Sequence, residues 1–210
     1  MGKIFLIDKP KGMSSFRALK IFQKKIGANK IGHAGTLDPN ASGLLIAATD
    51  EMTKELGAYV GLPKKYEAEI LFGVRTDTGD TAGVVLEEVN IVPEEKSVRA
   101  ALPGMVGELI LPVSLFSAMK RGGKPLYSYA RKGEKIIQPK RGMEVKEAEL
   151  VSFEPPYAKI IFSVGSGTYV RSLAEELGKR LETVATLSEL RRLSVGDFKV
   201  EDAEKLAADN

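Results

Sequence analysis

IGHAGTLDPNASGLLIAAT, residues 31–49, is the stretch on which the reading of this chain turns. Its first half is dense in Gly, Thr, Asp, Pro and Ser, and its second half is an apolar run of the kind a buried strand needs. The stretch therefore predicts a polar loop anchored directly on a core strand. Taken alone, an Asp before Pro in such a loop is an ordinary turn residue. Upstream, residues 3–7 read as a short buried strand. The KPKG that follows at 9–12 must leave regular structure, because proline lacks a donor and glycine permits positive φ. A helix comes next: Ser14 or Ser15 caps it, Phe16, Leu19, Phe22 and Ile26 recur every three or four residues, and Gly27 ends it. Arg17, Lys20, Lys24 and Lys25 occupy much of its remaining surface.

Downstream, residues 66–72 alternate charged Glu67 and Glu69 with Ala68 and Ile70, the period of a half-buried strand. Residues 84–89 are read as its hairpin partner across the polar loop RTDTGDTAG, 75–83. Proline opens and Pro103-Gly104 closes a short helix over 93–102. Residues 145–153 and 158–164 read as strands, and Val170, Leu173, Ala174, Leu177 and Leu181 mark an amphipathic helix. Strands interspersed with a few helices, without regular βαβ alternation, give an α+β fold with a mixed, largely antiparallel sheet flanked by helices and loops.

With 210 residues, 43% of them hydrophobic, the chain can bury one substantial core, so a single domain over 1–210 is expected. The absence of cysteine excludes disulfides, thiol nucleophiles and cysteine-ligated metals. A single histidine argues against a zinc cluster, and Asp77-Thr-Gly-Asp80 lacks the spacing of an EF-hand loop, so no metal is expected. No signal peptide or membrane span is legible, and exclusion then places the protein in the cytoplasm, away from membranes. Charge is uneven. Residues 1–30 hold eight Lys or Arg against one acid, and residues 117–146 hold nine against two, in a chain of net charge +3. Two basic patches on an otherwise acidic body attract polyanions, although such patches are often only solvated faces.

GHAGTLDPNASGLL at 32–45 resembles the catalytic signature of the TruB family of pseudouridine synthases. IDKPKGMSS at 7–15, YEAEILFGVRTDTGD at 66–80, SAMKRGGKPLYSYARKG at 117–133, GTYVRSLAEELG at 167–178 and LSELRRLSVGDF at 187–198 resemble the family's other motifs, in the family's order. The resemblance implies a pseudouridine-synthase fold and isomerisation of uridine 55 in the T loop of tRNA. That reaction breaks a C–N glycosidic bond and forms a C–C bond with no redox change, so no cofactor is expected.

The same resemblance assigns roles. Asp38 is implied as the catalytic carboxylate, attacking the nucleotide or acting as a base; a nucleophilic carboxylate splits one hard step into two easier ones. Arg171 is implied as its two-pronged partner, and Tyr66 as the tyrosine that stacks on the target base. Tyr169 lines the pocket, and Leu190 packs near it. A stacked target must be flipped out of its arm, and His33 matches the histidine that supports this. Asp80 resembles a member of the polar network around the site, while Lys9 and Pro10 resemble residues supporting the catalytic loop. Within the basic insertion near 117–146, Lys120, Arg121, Lys124, Arg131 and Lys132 fit phosphate contacts, and Tyr127 and Tyr129 pack or stack.

Ala34, Asn40 and Ser42 replace the Thr, Leu and Thr more usual around the Asp. The sequence stops where the family usually continues into a carboxy-terminal PUA-type RNA-binding domain, so a catalytic domain alone is expected. The expected partner is the T arm of tRNA, bound by a monomer with no obligatory protein partner. Two rivals remain: a guide-RNA-dependent enzyme of the dyskerin type, and a non-catalytic tRNA-binding or tRNA-folding module. The first relies on the domain not seen in the sequence, and the second has no need of Asp38, Tyr66 and Arg171 together.

Overall fold

The computed structural model describes residues 2–130, 132–134 and 136–207. Its elements begin with β1 (Ile4–Lys9), α1 (Ser15–Ile26), β2 (Ile31–Ala34), β3 (Ala41–Thr49), α2 (Leu56–Val60), β4 (Lys64–Phe72), β5 (Val74–Thr76) and β6 (Val85–Glu88). There follow α3 (Glu95–Ala101), β7 (Gly107–Pro112), β8 (Lys120–Arg121), β9 (Lys124–Pro125), α4 (Leu126–Ala130), β10 (Lys140–Glu154) and β11 (Tyr157–Val164). The last are α5 (Val170–Arg180), β12 (Ala185–Val195), β13 (Phe198–Lys199) and β14 (Glu204–Lys205).

The chain forms two compact units, one of Met1–Glu67, Phe162–Ser166 and Glu189–Asn210, the other of Ala68–Ile161 and Gly167–Ser188. In the first unit the strand order is β14-β1-β3-β12, with β2 also on β3 and β13 on β12. The sheet is mixed: β1 runs parallel to β14 and antiparallel to β3, and β12 runs parallel to β3. β3 carries the apolar run anticipated from sequence, and Leu44 to Ala48 are fully buried. One face packs on α1 in a cluster of Ile7, Met13, Ala18, Leu19, Phe22, Leu45, Ala47 and Leu206. α1 ends as its sequence dictates. Ser14 Oγ accepts from Arg17 N, and Gly27 takes the left-handed conformation (φ 67°) that terminates helices.

In the second unit β7 pairs antiparallel with the long β10, and the strand order is β4-β11-β10-β7. β4 shows the alternation read from sequence, one face buried and the other not. The hairpin expectation is corrected. Residues 84–89 do not pair with residues 66–72; β6 pairs with β5, in register Val74 with Glu88 and Arg75 with Glu87. Gly73, at φ 87°, ends β4 and turns the chain, and its carbonyl accepts from Val89 N, so the strand that meets β6 starts one residue later. Both α3 and α5 form near the positions their spacing predicts. Among the described residues no helix is long and apolar enough to cross a membrane.

Candidate active site

The loop between β2 and β3 carries Asp38 and is held from several directions by the first unit. Asp38 O accepts from Ala41 N at 3.0 Å, closing a tight turn through Pro39 and Asn40. Gly12 N donates to Pro39 O at 2.8 Å. Buried Ser15 bridges Leu37 on both sides, its Oγ accepting from Leu37 N and donating to Leu37 O, each at 2.9 Å. The IDKPKGMSS motif thus works as a cradle for the Asp38 loop.

Lys9 is wholly buried. Its Nζ donates to Pro10 O, Met13 O and Ala41 O at 3.0, 2.7 and 2.5 Å, so every proton of the ammonium is engaged by a carbonyl. Burial lowers its pKa from 10.5 to about 8, with the charge of Asp38 opposing and that of Arg192 adding to the shift. With no exposed surface, Lys9 ties its own motif, at Pro10 and Met13, to Ala41, where the Asp38 loop enters β3.

Arg192 is a site residue that the sequence reading missed. It is 1% exposed; its Nε donates to Leu44 O at 2.6 Å and its Nη2 to Gly35 O at 3.0 Å, clasping the loop where it leaves β2 and again beyond its end in β3. The two strands lie so close that a Cβ on Gly43, already at φ 103°, would stand 2.3 Å from Arg192 O. Neighbouring Arg191 points the other way and grips Asp8 with both terminal nitrogens, at 3.0 and 2.8 Å. Two arginines in succession on a strand must face opposite sides, and this was the available signal. Leu190, half-buried, pairs with Ala41, three residues past Asp38.

His33 sits on β2 opposite Ala47. Burial and then the Arg192 charge lower its pKa from 6.5, opposed by a backbone hydrogen bond at Gly35, and among the described residues its buried Nδ1 has no hydrogen-bond partner. Tyr66 lies on β4 and is 9% exposed.

The second unit brings Arg171, Asp80 and Tyr169 around the start of α5. Arg171 is buried; its Nη1 donates to Thr78 O at 2.8 Å and Ser114 Oγ at 3.2 Å, and its Nη2 to Phe116 O at 3.2 Å. Thr78 belongs to the loop that also holds Asp80, whose Oδ1 accepts from Thr78 Oγ1 at 2.9 Å and Ala82 N at 3.0 Å. Asp80 and Arg171 therefore brace one loop. Tyr169 is the residue preceding α5, half-buried, and its carbonyl accepts from Ser172 N and Leu173 N. One turn into the helix, burial raises the pKa of Glu175, opposed by the charges of Arg171 and Arg75.

Lys120 and Arg121 form β8, which hairpins through Gly122-Gly123 onto β9, and all four residues of 120–123 are exposed. Tyr129 donates its hydroxyl to Arg121 O at 3.0 Å, which makes it a tie within the insertion. Tyr127 is exposed. Arg131, expected to contact phosphate, lies outside the described residues. Beneath this insertion is a cavity of about 1040 Å³ whose walls include Phe116, Gly133, Ile136, Ser172 and Glu175.

Comparison with known proteins matches residues 23–170 to the family described as TruB family pseudouridylate synthase (N terminal domain). The chain is 43% identical over 198 residues to "tRNA pseudouridine synthase B" of Xanthomonas axonopodis pv. citri, covering 93% of this chain and 64% of that protein. It is also 43% identical over 205 residues to the protein of that name from Burkholderia mallei, covering 98% and 68%. This chain thus spans about two thirds of the length of the curated relatives it matches. Among solved structures, a chain of a Cbf5-Nop10-Gar1 complex aligns with a TM-score of 0.75 and 28% identity over 97% of this chain and 52% of that one. A chain of an H/ACA RNP bound to a substrate RNA containing 2'-deoxyuridine aligns with a TM-score of 0.71 and 26% identity, covering 96% and 50%. With a loop of this signature held in this way, and a family match over more than half of its residues, the chain belongs to the TruB family of pseudouridylate synthases.

Proposed function

We propose that this chain is a tRNA pseudouridine synthase, isomerising uridine 55 of the T loop with Asp38 as the reacting carboxylate. In that reaction the C1′–N1 bond of uridine breaks, the detached base turns, and C1′ bonds to C5. The C5 proton leaves and N1 gains one, so atoms and electrons balance with no added reactant. The observation that carries the reading is the Asp38 loop itself. In a chain of this family, buried Lys9, Ser15 and Arg192 are spent on holding one short turn in place, which is how a protein keeps a reacting group in productive geometry.

In this reading Tyr66 and Arg171 complete the catalytic set, Arg171 as the guanidinium that the family motif pairs with the carboxylate. His33 supports the flipped target, Tyr169 and Leu190 line its pocket, Asp80 steadies the loop that Arg171 grips at Thr78, and Lys120 and Arg131 meet phosphates. The protein acts as a cytoplasmic monomer on the T arm, without cofactor or obligatory partner. The test is incubation of the purified protein with an unmodified tRNA transcript, with no other addition, followed by chemical mapping of pseudouridine. Modification at position 55 that disappears in Asp38→Asn is expected. Activity only when a guide RNA and partner proteins are supplied would favour the dyskerin-type alternative, and tRNA binding with no modification at all would favour a binding module.

A further inference from the structure

We propose that the outer face of α1 is a second RNA-binding surface, a phosphate track with one aromatic platform, lying beside the Asp38 loop and separate from the 117–146 insertion. The proposal rests on the reading of the chain as an RNA-modifying enzyme. α1 buries Ser15, Ala18, Leu19 and Phe22. On the opposite face Phe16, Arg17, Lys20 and Lys24 are all exposed. At 100° per residue, Arg17, Lys20 and Lys24 fall within a 60° arc and succeed one another at spacings of three and four, so they form a single row of cations along the helix.

Phe16 decides between a solvated face and a binding surface. A basic helix face made only for solubility has no use for a phenylalanine, yet Phe16 is 67% exposed, and Lys20 Nζ lies 5.5 Å from its ring centroid. Aromatic rings set among cations are what single-stranded or looped RNA requires, since bases stack on the ring while phosphates meet the charges. No acidic residue lies in the first turn of α1, and Lys24 and Lys25 close its last turn. Charge complementarity therefore favours a polyanion over a protein partner. Position adds to this, because the residues leading into α1 hold the Asp38 loop through Gly12 and Ser15. RNA lying on α1 is thereby led toward the reacting carboxylate.

The experiment compares the full chain with Lys20→Glu/Lys24→Glu, with Phe16→Ala, and with a control double reversal at two exposed lysines elsewhere, Lys96→Glu/Lys199→Glu. Dissociation constants for unmodified tRNA transcript are measured over a salt series, and urea unfolding confirms that each variant is folded. The α1 reversal should weaken binding at least about tenfold at low salt and reduce the slope of log affinity against log salt by about two, while the control with the same net charge changes far less. Phe16→Ala should weaken binding by about fivefold or more. If both α1 variants bind like the control, with an unchanged slope, the proposal is overturned. Pseudouridine is mapped in the same samples; a wild type that binds tRNA but forms none defeats the proposed function while leaving the binding comparison readable.

Discussion

The Asp38 loop and the basic insertion are both polar, glycine-containing segments, yet they are built in opposite ways. The loop is short, and three buried side chains, Lys9, Ser15 and Arg192, each drawn from a distant or preceding part of the sequence, fix its backbone at Gly35, Leu37 and Ala41. The insertion is longer, it is exposed from Lys120 to Lys124, several of its ties are internal, such as Tyr129 to Arg121 and Leu126 to Met119, and Ala130, Gly133 and Ile136 wall a cavity where the loop has packed core. Chemistry on a bound nucleotide tolerates little displacement of the reacting group, whereas phosphate binding is long-ranged and forgiving. The difference teaches that this chain sets buried Lys9, Ser15 and Arg192 around one short turn and leaves the charged tip at Lys120 to Lys124 in solvent.

The contrast can be broken at four places, in falling order of effect. Asp38→Asn should reduce pseudouridine formation to the uncatalysed background while tRNA affinity stays within a few fold, because a reacting group is lost from a surface that binds elsewhere. Turnover retained in this variant, measured by pseudouridine mapping, would remove Asp38 from the reaction. Arg192→Leu should lower stability by about 3 kcal/mol in urea unfolding, since it strands the buried Leu44 carbonyl and the half-buried Gly35 carbonyl. Arg192→Lys should recover only part of that loss, a point donor being unable to span both carbonyls; full recovery would mean that charge alone matters.

Lys9 gives a pH signature. Its ammonium is disfavoured in the folded chain, with a pKa near 8 against 10.5 when unfolded, so between these values the unfolded chain holds a proton that the folded chain has released. The burden is therefore full below about pH 8 and is relieved as pH rises toward 10.5, and stability increases across that window. Lys64, lowered to about 8 by burial, acts in the same direction. Lys9→Met should flatten the rise, leaving the share of Lys64, as read from unfolding midpoints across the window; an unaltered rise would mean that Lys9 titrates normally. The smallest effect belongs to the insertion. Lys120→Ala should reduce the salt slope of tRNA binding by about one and leave the unfolding midpoint unmoved, and a destabilised variant would show that the insertion is a packed element after all.

Local signals carried much of the fold. Ser14, Gly27 and the spacing between them announced α1, and the unbroken apolar run announced β3, because caps and periodicity act within a few residues. The partner of residues 84–89 was not legible, since β5 is three residues long and has no period to detect. β2 was likewise hidden in what read as loop. Asp38 and Lys9 stood out through their motifs, but Ser15 as the holder of Leu37, and Arg192, did not. Arg192 acts on Gly35 and Leu44 across about 150 residues of sequence, and an arginine is ordinarily a surface residue. Only the alternation imposed by a strand separates it from Arg191.

β1 lies between β3 and β14, and its parallel neighbour on one side, pairing Ile7 with Glu204 and Asp8 with Lys205, is made about 200 residues after it. Leu206, just beyond it, completes the cluster under α1. At synthesis rates of about 5–20 residues per second, roughly 10–40 s separate the emergence of these two strands from the ribosome. Throughout that interval the growing chain exposes one open edge of β1 and an unfilled place beside Ile7 and Phe22. For this protein, then, birth order and spatial order disagree at the strand that leads into the Asp38 cradle, whose edge is covered only once residues 204–206 arrive.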